Sequence, residues 1–199
     1  MRRKYSVMHY GKGKSRITLL LERKVWKNGF AGLVLSDRLE DSIVLAVDNR
    51  RLDENCLRRI YITAQKDGSK PVIVLSTAAF VGLKRGYDIN RCALLHEVGH
   101  YCCGHLVNPP LLEEEVERRS KLVAQNKVAE EELAADAFAA EYLGAEYVAW
   151  ALQECMDQWF AEQLCEDVPD DGQVLREYQM RINHLSRQFG LDEEDEEED

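Results

Sequence analysis

Residues 93–100 read Ala93-Leu94-Leu95-His96-Glu97-Val98-Gly99-His100, and this stretch decides how the rest of the chain is interpreted. His96 and His100 are four residues apart, so on a helix both imidazoles lie on one face and can bind a single metal ion. Glu97 stands between them, where its carboxylate can take a proton from a metal-activated water. The HExxH pattern is short, so its surroundings decide between a metal site and ordinary core or surface histidines.

The surroundings favour a buried helix that carries the histidine pair. Asp88 is a suitable N-cap residue, apolar residues follow on several faces, and Gly104 is suited to end the helix, which is predicted from about residue 89 to 103. The upstream run 71–76 is typical of a strand. Histidines in apolar surroundings are costly without a partner, so the pattern favours a metal-binding role.

A catalytic zinc ion needs a third protein ligand and one open position for water. Glu132 is the better candidate, because it lies in an alanine-rich helix that Asn126 is predicted to start and Gly144 to end. His105 is nearer in sequence, but on a helix that continued past His100 it would face away from the histidine pair. His105 therefore stands as the weaker alternative.

Asp136 follows Glu132 by four residues, so both carboxylates are predicted on one face of the same helix. This spacing permits a division of roles in which Glu132 binds the metal and Asp136 accepts the outer N–H of a ligand histidine. The competing interpretation is a solvated acidic first turn over residues 130–132, which does not account for an aspartate among alanines and Phe138.

The HExxH segment and the segment Glu132-Leu133-Ala134-Ala135-Asp136 together resemble the gluzincin zinc metallopeptidases. Residues 72–76, 93–100 and 132–136 are similar to the soluble catalytic domains of HtpX-like peptidases. Residues 138–143 are similar to the glutamate helix of ImmA/IrrE-like peptidases. The resemblance covers about residues 70–143 and is specific at the two motifs.

The resemblance implies one zinc ion per chain, bound by His96, His100 and Glu132, with Glu97 as general base and Asp136 orienting one histidine. It implies hydrolysis of a peptide bond in a protein or peptide substrate by a metal-activated water, and we expect a narrow-specificity intracellular endopeptidase. The alternative is a non-catalytic zinc-binding interaction or sensor domain on the same fold. The oxyanion-stabilising residue stays unassigned among four downstream candidates: His184, Tyr142, Tyr147 and Tyr178.

Composition sets further expectations for this chain of 199 residues. Its hydrophobic content of 45% suffices for one good core, and its formal net charge of −10 disfavours a nucleic-acid partner. No run approaches 18 apolar residues and the basic N-terminus lacks an apolar segment, so we expect no membrane span and no secretory signal. The six cysteines form no CxxC pair, which favours reduced thiols and a cytoplasmic location. Cys102 and Cys103 are expected to fill apolar space rather than bind metal or sense oxidants.

The predicted fold class is α+β and zincin-like, with a small antiparallel or mixed sheet packed on the HExxH helix. A helical C-terminal subdomain carries Glu132, and a cleft between the two parts holds zinc and substrate. We expect one domain over residues 1–190, mainly strands over 1–87 and mainly helices over 88–190, followed by a disordered acidic tail over 191–199. Strands are predicted at 16–21, 43–47, 59–63 and 71–76, the last two as an antiparallel pair. Helices are predicted at part of 23–39, at 112–125 as an exposed element, at 145–164 and from about 172 to 190. The sequence gives no indication of oligomeric state.

Overall fold

The computed structural model describes residues 5–12, 16–27, 29–39, 41–48, 60–63, 71–105, 112–165 and 172–191. The chain divides into two compact units, residues 1–109 and residues 110–199. Within the described residues the first unit contains a six-stranded sheet and two helices, and the second contains four helices. The predicted α+β class is therefore confirmed. The predicted tail, apart from Leu191, lies outside the described residues.

The sheet of the first unit is mixed, as the sequence allowed. Its strands are β1 (Tyr5–Tyr10), β2 (Ile17–Glu22), β3 (Phe30–Ser36), β4 (Ile43–Val47), β5 (Ile60–Thr63) and β6 (Val72–Leu75). They lie in the order β1-β2-β3-β4-β6-β5, and every neighbouring pair is antiparallel except β4 and β6, which are parallel. The predicted antiparallel pairing of the last two strands is confirmed, and β5 forms one edge of the sheet.

Alternating burial explains why these segments form strands. In β2, Ile17, Leu19 and Leu21 are fully buried and alternate with half-buried positions, as expected when successive side chains point to opposite faces. The same period of two places Ile43 and Leu45 of β4 in the core of the unit. Burial of such branched side chains is the main stabilising contribution to the sheet.

The prediction of a helix within residues 23–39 is wrong, because Phe30–Ser36 form the strand β3. Gly29 has a φ of +80°, which reverses the chain before the strand begins. Gly32 lies directly against β2, where a Cβ would stand 2.1 Å from the carbonyl oxygen of Leu20. These two glycines, which are unfavourable inside a helix, are thus the positions that allow the turn and the close strand contact.

Two helices follow the sheet, α1 (Thr77–Arg85) and α2 (Asp88–Cys102). α1, like β1, was not predicted. α2 is the predicted HExxH helix, but its N-cap is Tyr87 without a side-chain hydrogen bond, so the prediction that Asp88 is the cap is wrong. Asp88 instead lies in the first turn, where its negative charge suits the positive end of the helix dipole. α2 contacts the edge strand β5.

The second unit is built from α3 (Leu112–Ala124), α4 (Glu130–Leu143), α5 (Ala145–Cys165) and α6 (Gln173–Phe189). Their bounds agree with the predicted helices except at the start of α4. Asn126 does not cap that helix: it has a φ of +56° and donates its N–H to the carbonyl of Val123, which ends α3. Gly144 ends α4 as predicted, with a φ of +98°.

Contacts within this unit join α5 to α4 and α6, and α6 to α3 and α4. The prediction that the highly charged α3 is an exposed element is wrong in part, because its residue Val123 is buried. Over the part of the chain that the structure describes, no helix combines the length and the hydropathy that crossing a membrane requires.

Candidate metal centre

The two histidines of the HExxH pattern face each other on α2. Their Nε2 atoms are 3.0 Å apart and their rings meet edge to face, with centroids separated by 4.6 Å. The opposite side of α2 is buried through Leu94, Leu95 and Val98, which fixes the rotation of the helix and leaves both imidazoles half-buried. The four-residue spacing therefore brings two imidazole nitrogens to one point, as the sequence predicted.

Glu97 is held by the edge strand of the sheet. Its Oε2 atom accepts a hydrogen bond of 2.8 Å from the backbone N–H of Ile62 in β5. An N–H at the edge of a sheet has no strand partner on its outer side, so it can bind a side chain there. This contact between distant residues fixes the carboxylate that the HExxH pattern assigns as general base.

His105 lies closer to the histidine pair than the sequence suggested. The expectation that it would face away assumed a continuing helix, but α2 ends at Cys102 and Gly104 turns the chain with a φ of +77°. The backbone N–H of His105 donates to the carbonyl of His100, and the two rings have centroids 5.9 Å apart. Among the described residues the buried Nδ1 atom of His105 has no hydrogen-bond partner.

The cysteine pair after α2 is divided between two environments. Cys102 is half-buried and Cys103 is exposed, and both are free thiols. Burial raises the pKa of the Cys102 thiol to about 11, so this thiol is protonated at neutral pH and is a weak nucleophile and metal ligand. This fits the expected apolar role for Cys102 but not for the exposed Cys103.

In the second unit, Glu132 and Asp136 lie one turn apart on α4, and both are buried. They share a face, as the spacing predicted. Their surroundings, however, were not predicted: each carboxylate is paired with arginine side chains from other helices. The interpretation of Glu132 as part of a solvated acidic first turn is therefore wrong.

Arg181 of α6 contacts both carboxylates. Its Nε and Nη2 atoms donate to the two oxygens of Asp136 at 2.7 Å each, and its Nη1 atom lies 3.2 Å from Oε2 of Glu132. Arg119 of α3 approaches the other Glu132 oxygen at 3.1 Å and also pairs with Glu177 of α6. The five side chains form one ionic network across three helices.

Both arginines carry a full positive charge in this network. Burial alone would lower the pKa of the Arg181 guanidinium, but the Asp136 and Glu132 carboxylates outweigh burial and hold the pKa well above its ordinary value. The same balance raises the pKa of Arg119, with Glu132 and Glu177 as its partners. Three carboxylates face two guanidiniums, so the network has one negative charge in excess.

The four residues considered for oxyanion stabilisation have different environments. His184 is exposed and Tyr147 is half-buried. The ring of Tyr142 lies 5.0 Å from that of Phe138, and Tyr178 lies under the Arg181 guanidinium at 5.6 Å. None of these contacts selects one residue for the role, which stays unassigned.

The sequence singled out five candidate site residues but none of the arginines. Within the first unit the structure brings together His96 and His100 and joins Glu97 to Ile62, and within the second it brings together Glu132 and Asp136 through Arg181. The apolar residues of α6 recur with a period of 3.6 and mark a buried face. Arg181 lies on that face, and a charged residue among buried positions is the signal that could have identified it as functional.

No protein-family model, curated protein or solved structure matches this chain. The resemblance to gluzincin peptidases accordingly rests on its motifs alone. It stays a prediction.

Proposed function

We propose that this protein is a zinc-dependent peptidase in which His96, His100 and Glu132 bind one zinc ion and Glu97 is the general base. The substrate is a protein or peptide, and the proposed specificity is narrow because an unrestricted peptidase would degrade the proteins of its own cell. Among the described residues Cys92, Cys102, Cys103 and Cys155 are not in disulfides, which favours a reducing, cytoplasmic compartment.

The approach of the two Nε2 atoms to 3.0 Å carries this proposal. Two imidazole nitrogens that bind one tetrahedral zinc at about 2.0–2.1 Å stand roughly 3.3 Å apart. The pair therefore needs an adjustment of only about 0.3 Å to bind zinc. Without a cation, one Nε2 must donate to the other, which restricts the tautomers of both rings.

The donor set fits a catalytic zinc ion better than a structural one. His96, His100 and Glu132 each offer one ligand atom, two of them imidazole nitrogens and one a carboxylate oxygen. Three protein ligands of this kind leave a fourth position open for water. Each carboxylate oxygen of Glu132 has lone pairs beyond the one directed at its arginine, so the ion pairs leave it capable of binding a metal.

When bound, zinc supplies Lewis-acid chemistry, polarising the substrate carbonyl and lowering the pKa of water. The protein supplies the proton transfers. Glu97 takes the proton of the attacking water and passes it to the leaving amine nitrogen as the peptide bond breaks. The Ile62 N–H holds one oxygen of this carboxylate, so the base is fixed in orientation before substrate arrives.

The metal content of the purified protein tests the ligand set. We expect close to one zinc ion per chain in the wild type, and a sharp loss in His100→Ala and in Glu132→Gln. Glu130→Gln is the matched control, because Glu130 is an exposed glutamate on the first turn of the same helix. This control should retain the zinc of the wild type.

His105→Ala distinguishes the alternative third ligand. Loss of zinc in this variant, with zinc retained in Glu132→Gln, would move the third ligand to His105 and contradict the proposal. A wild-type protein that binds no zinc after reconstitution would contradict the metal site as a whole. Cleavage of a peptide library, followed by mass spectrometry, then tests the proposed reaction.

A further inference from the structure

We propose that Arg181 is a positioning residue for Glu132 and that Asp136 acts on Glu132 by anchoring the Arg181 guanidinium. This inference rests on the proposed role of Glu132 as a zinc ligand. It assigns to Asp136 a partner on α6, in addition to the histidine-orienting role that the sequence motif suggests.

The geometry at Asp136 is that of an anchor. Nε and Nη2 of Arg181 form two parallel hydrogen bonds of 2.7 Å to the two oxygens of Asp136. Two such bonds fix the plane and the direction of the guanidinium, which one bond would leave free to rotate. Asp136 is 2% exposed and Arg181 is 7% exposed, so solvent weakens the pairing little.

The anchored guanidinium presents its remaining nitrogen to the metal ligand. Nη1 of Arg181 lies 3.2 Å from Oε2 of Glu132. Nε, Nη1 and Nη2 belong to one rigid plane, so the hydrogen bonds to Asp136 determine the position of Nη1. The position of Nη1 in turn favours one position of the Glu132 carboxylate.

Charge gives the second reason for an arginine at this position. Glu132 and Asp136 lie one turn apart and buried on α4, so their negative charges repel each other in a medium of low dielectric. The Arg181 guanidinium contacts both carboxylates and reduces that repulsion.

Arg119 is less suited to the same positioning role. It contacts the other oxygen of Glu132 at 3.1 Å, but it is one-third exposed and its second partner is Glu177. It does not link Glu132 to Asp136. The coupling of the two α4 carboxylates through a single side chain is therefore a property of Arg181.

The zinc affinity of the full-length protein, measured by competition with a chromophoric chelator, tests this inference. The variants are Arg181→Lys, which keeps the charge but loses the planar fork, Asp136→Asn, which weakens the anchor, and the double variant. Leu185→Ala is the matched control, because Leu185 is fully buried one turn later on α6 and destabilises the unit without removing a charge. Circular dichroism gives the folded fraction, and each affinity is normalised to it.

We expect Arg181→Lys and Asp136→Asn each to weaken zinc binding about 10- to 100-fold, as substitutions behind a metal ligand do. The double variant should bind zinc about as tightly as the single variant with the lower affinity, because both changes break the same connection. Leu185→Ala should lower the thermal midpoint and leave the zinc affinity within about twofold of the wild type.

Three results would overturn this inference alone. Folded Arg181→Lys and Asp136→Asn proteins with wild-type affinity would remove the positioning role and leave the proposed function intact. Multiplicative effects in the double variant would show that Asp136 acts through another partner. Equal weakening in Leu185→Ala would reduce Arg181 to a structural residue. A wild-type protein that binds no zinc would instead overturn the proposed function and this inference together.

Discussion

The histidine face of α2 and the carboxylate face of α4 were both predicted from spacing, yet they are built in different ways. His96 and His100 contact each other within one turn of one helix. Glu132 and Asp136 also lie one turn apart, but their partner Arg181 is 45 positions from Asp136. A local pattern defines the first region, whereas the second depends on how three helices pack.

The free-energy cost of burying the side chains also differs between the two regions. Imidazoles can be neutral, so a half-buried pair loses little hydration, and one ring can hydrogen bond to the other. The carboxylates of α4 are buried and contact guanidiniums, because an ionised carboxylate in that environment requires compensating charge. Substitutions on α2 should therefore affect chemistry more than stability, and substitutions in the network of α4 should affect stability first.

Glu97→Gln should produce the largest effect, and on activity alone. Glutamine keeps the shape and the acceptor for the Ile62 N–H but cannot take a proton, so we expect kcat to fall at least about 10²- to 10⁴-fold. Zinc content and thermal stability should match those of the wild type. Peptide cleavage and metal analysis on the same preparations measure both.

Asp88→Asn is the control for that substitution, because it also converts a carboxylate to an amide on α2, and it should keep activity. Equal cleavage by Glu97→Gln and wild type would refute the general-base role. Zinc binding without cleavage of any peptide by the wild type would favour the alternative function, a zinc-binding interaction or sensor domain.

Arg181→Met should differ from Glu97→Gln by a large loss of stability. Methionine fills part of the volume but leaves two buried carboxylates without their shared cation, so we expect the free energy of unfolding to fall by about 3–5 kcal/mol. Urea unfolding followed by circular dichroism measures the change. A loss below about 1 kcal/mol would mean that water or Arg119 compensates the carboxylates, and that the network is not rigid.

Gly82→Ala tests the support of α2 from α1 and should have an intermediate effect. An added Cβ would stand 2.0 Å from Oδ1 of Asn90, whose side chain is almost fully buried. Relief requires the buried Asn90 side chain to move, so we expect a loss of about 1–3 kcal/mol in the free energy of unfolding. The histidines lie further along α2, and zinc content should be unchanged.

Thermal unfolding and metal analysis measure both effects of Gly82→Ala. Gly104→Ala on the exposed turn after α2 is a comparison, since nothing lies within 4 Å of its added Cβ and only the positive φ is strained. Loss of zinc in Gly82→Ala would show that the packing of α1 also determines the positions of His96 and His100.

Sequence patterns predicted what local spacing determines. The period of two in Ile43–Val47 and the period of 3.6 in α6 gave bounds within a few residues of those found. Asn126 and Gly29 were misassigned because a positive φ can end one element or begin another, and only tertiary contacts decide. Arg181 was missed because nothing in a sequence pairs an arginine with an aspartate 45 positions away.

Glu131→Gln should have the smallest effect on the free energy of unfolding, and the loss in Arg181→Met can be compared with it. Glu131 precedes the metal-ligand candidate by one residue, but it points to Arg118 at 3.2 Å, and the two side chains are 40% and 43% exposed. Such a pair is screened by solvent and contributes about 0–1 kcal/mol, a difference that 1 M salt should remove. The loss in Arg181→Met should persist at that salt concentration, because its charges are buried. A loss of more than about 2 kcal/mol in the free energy of unfolding of Glu131→Gln would contradict this comparison. It would mean that the exposed Glu131 is coupled to the buried network through the first turn of α4.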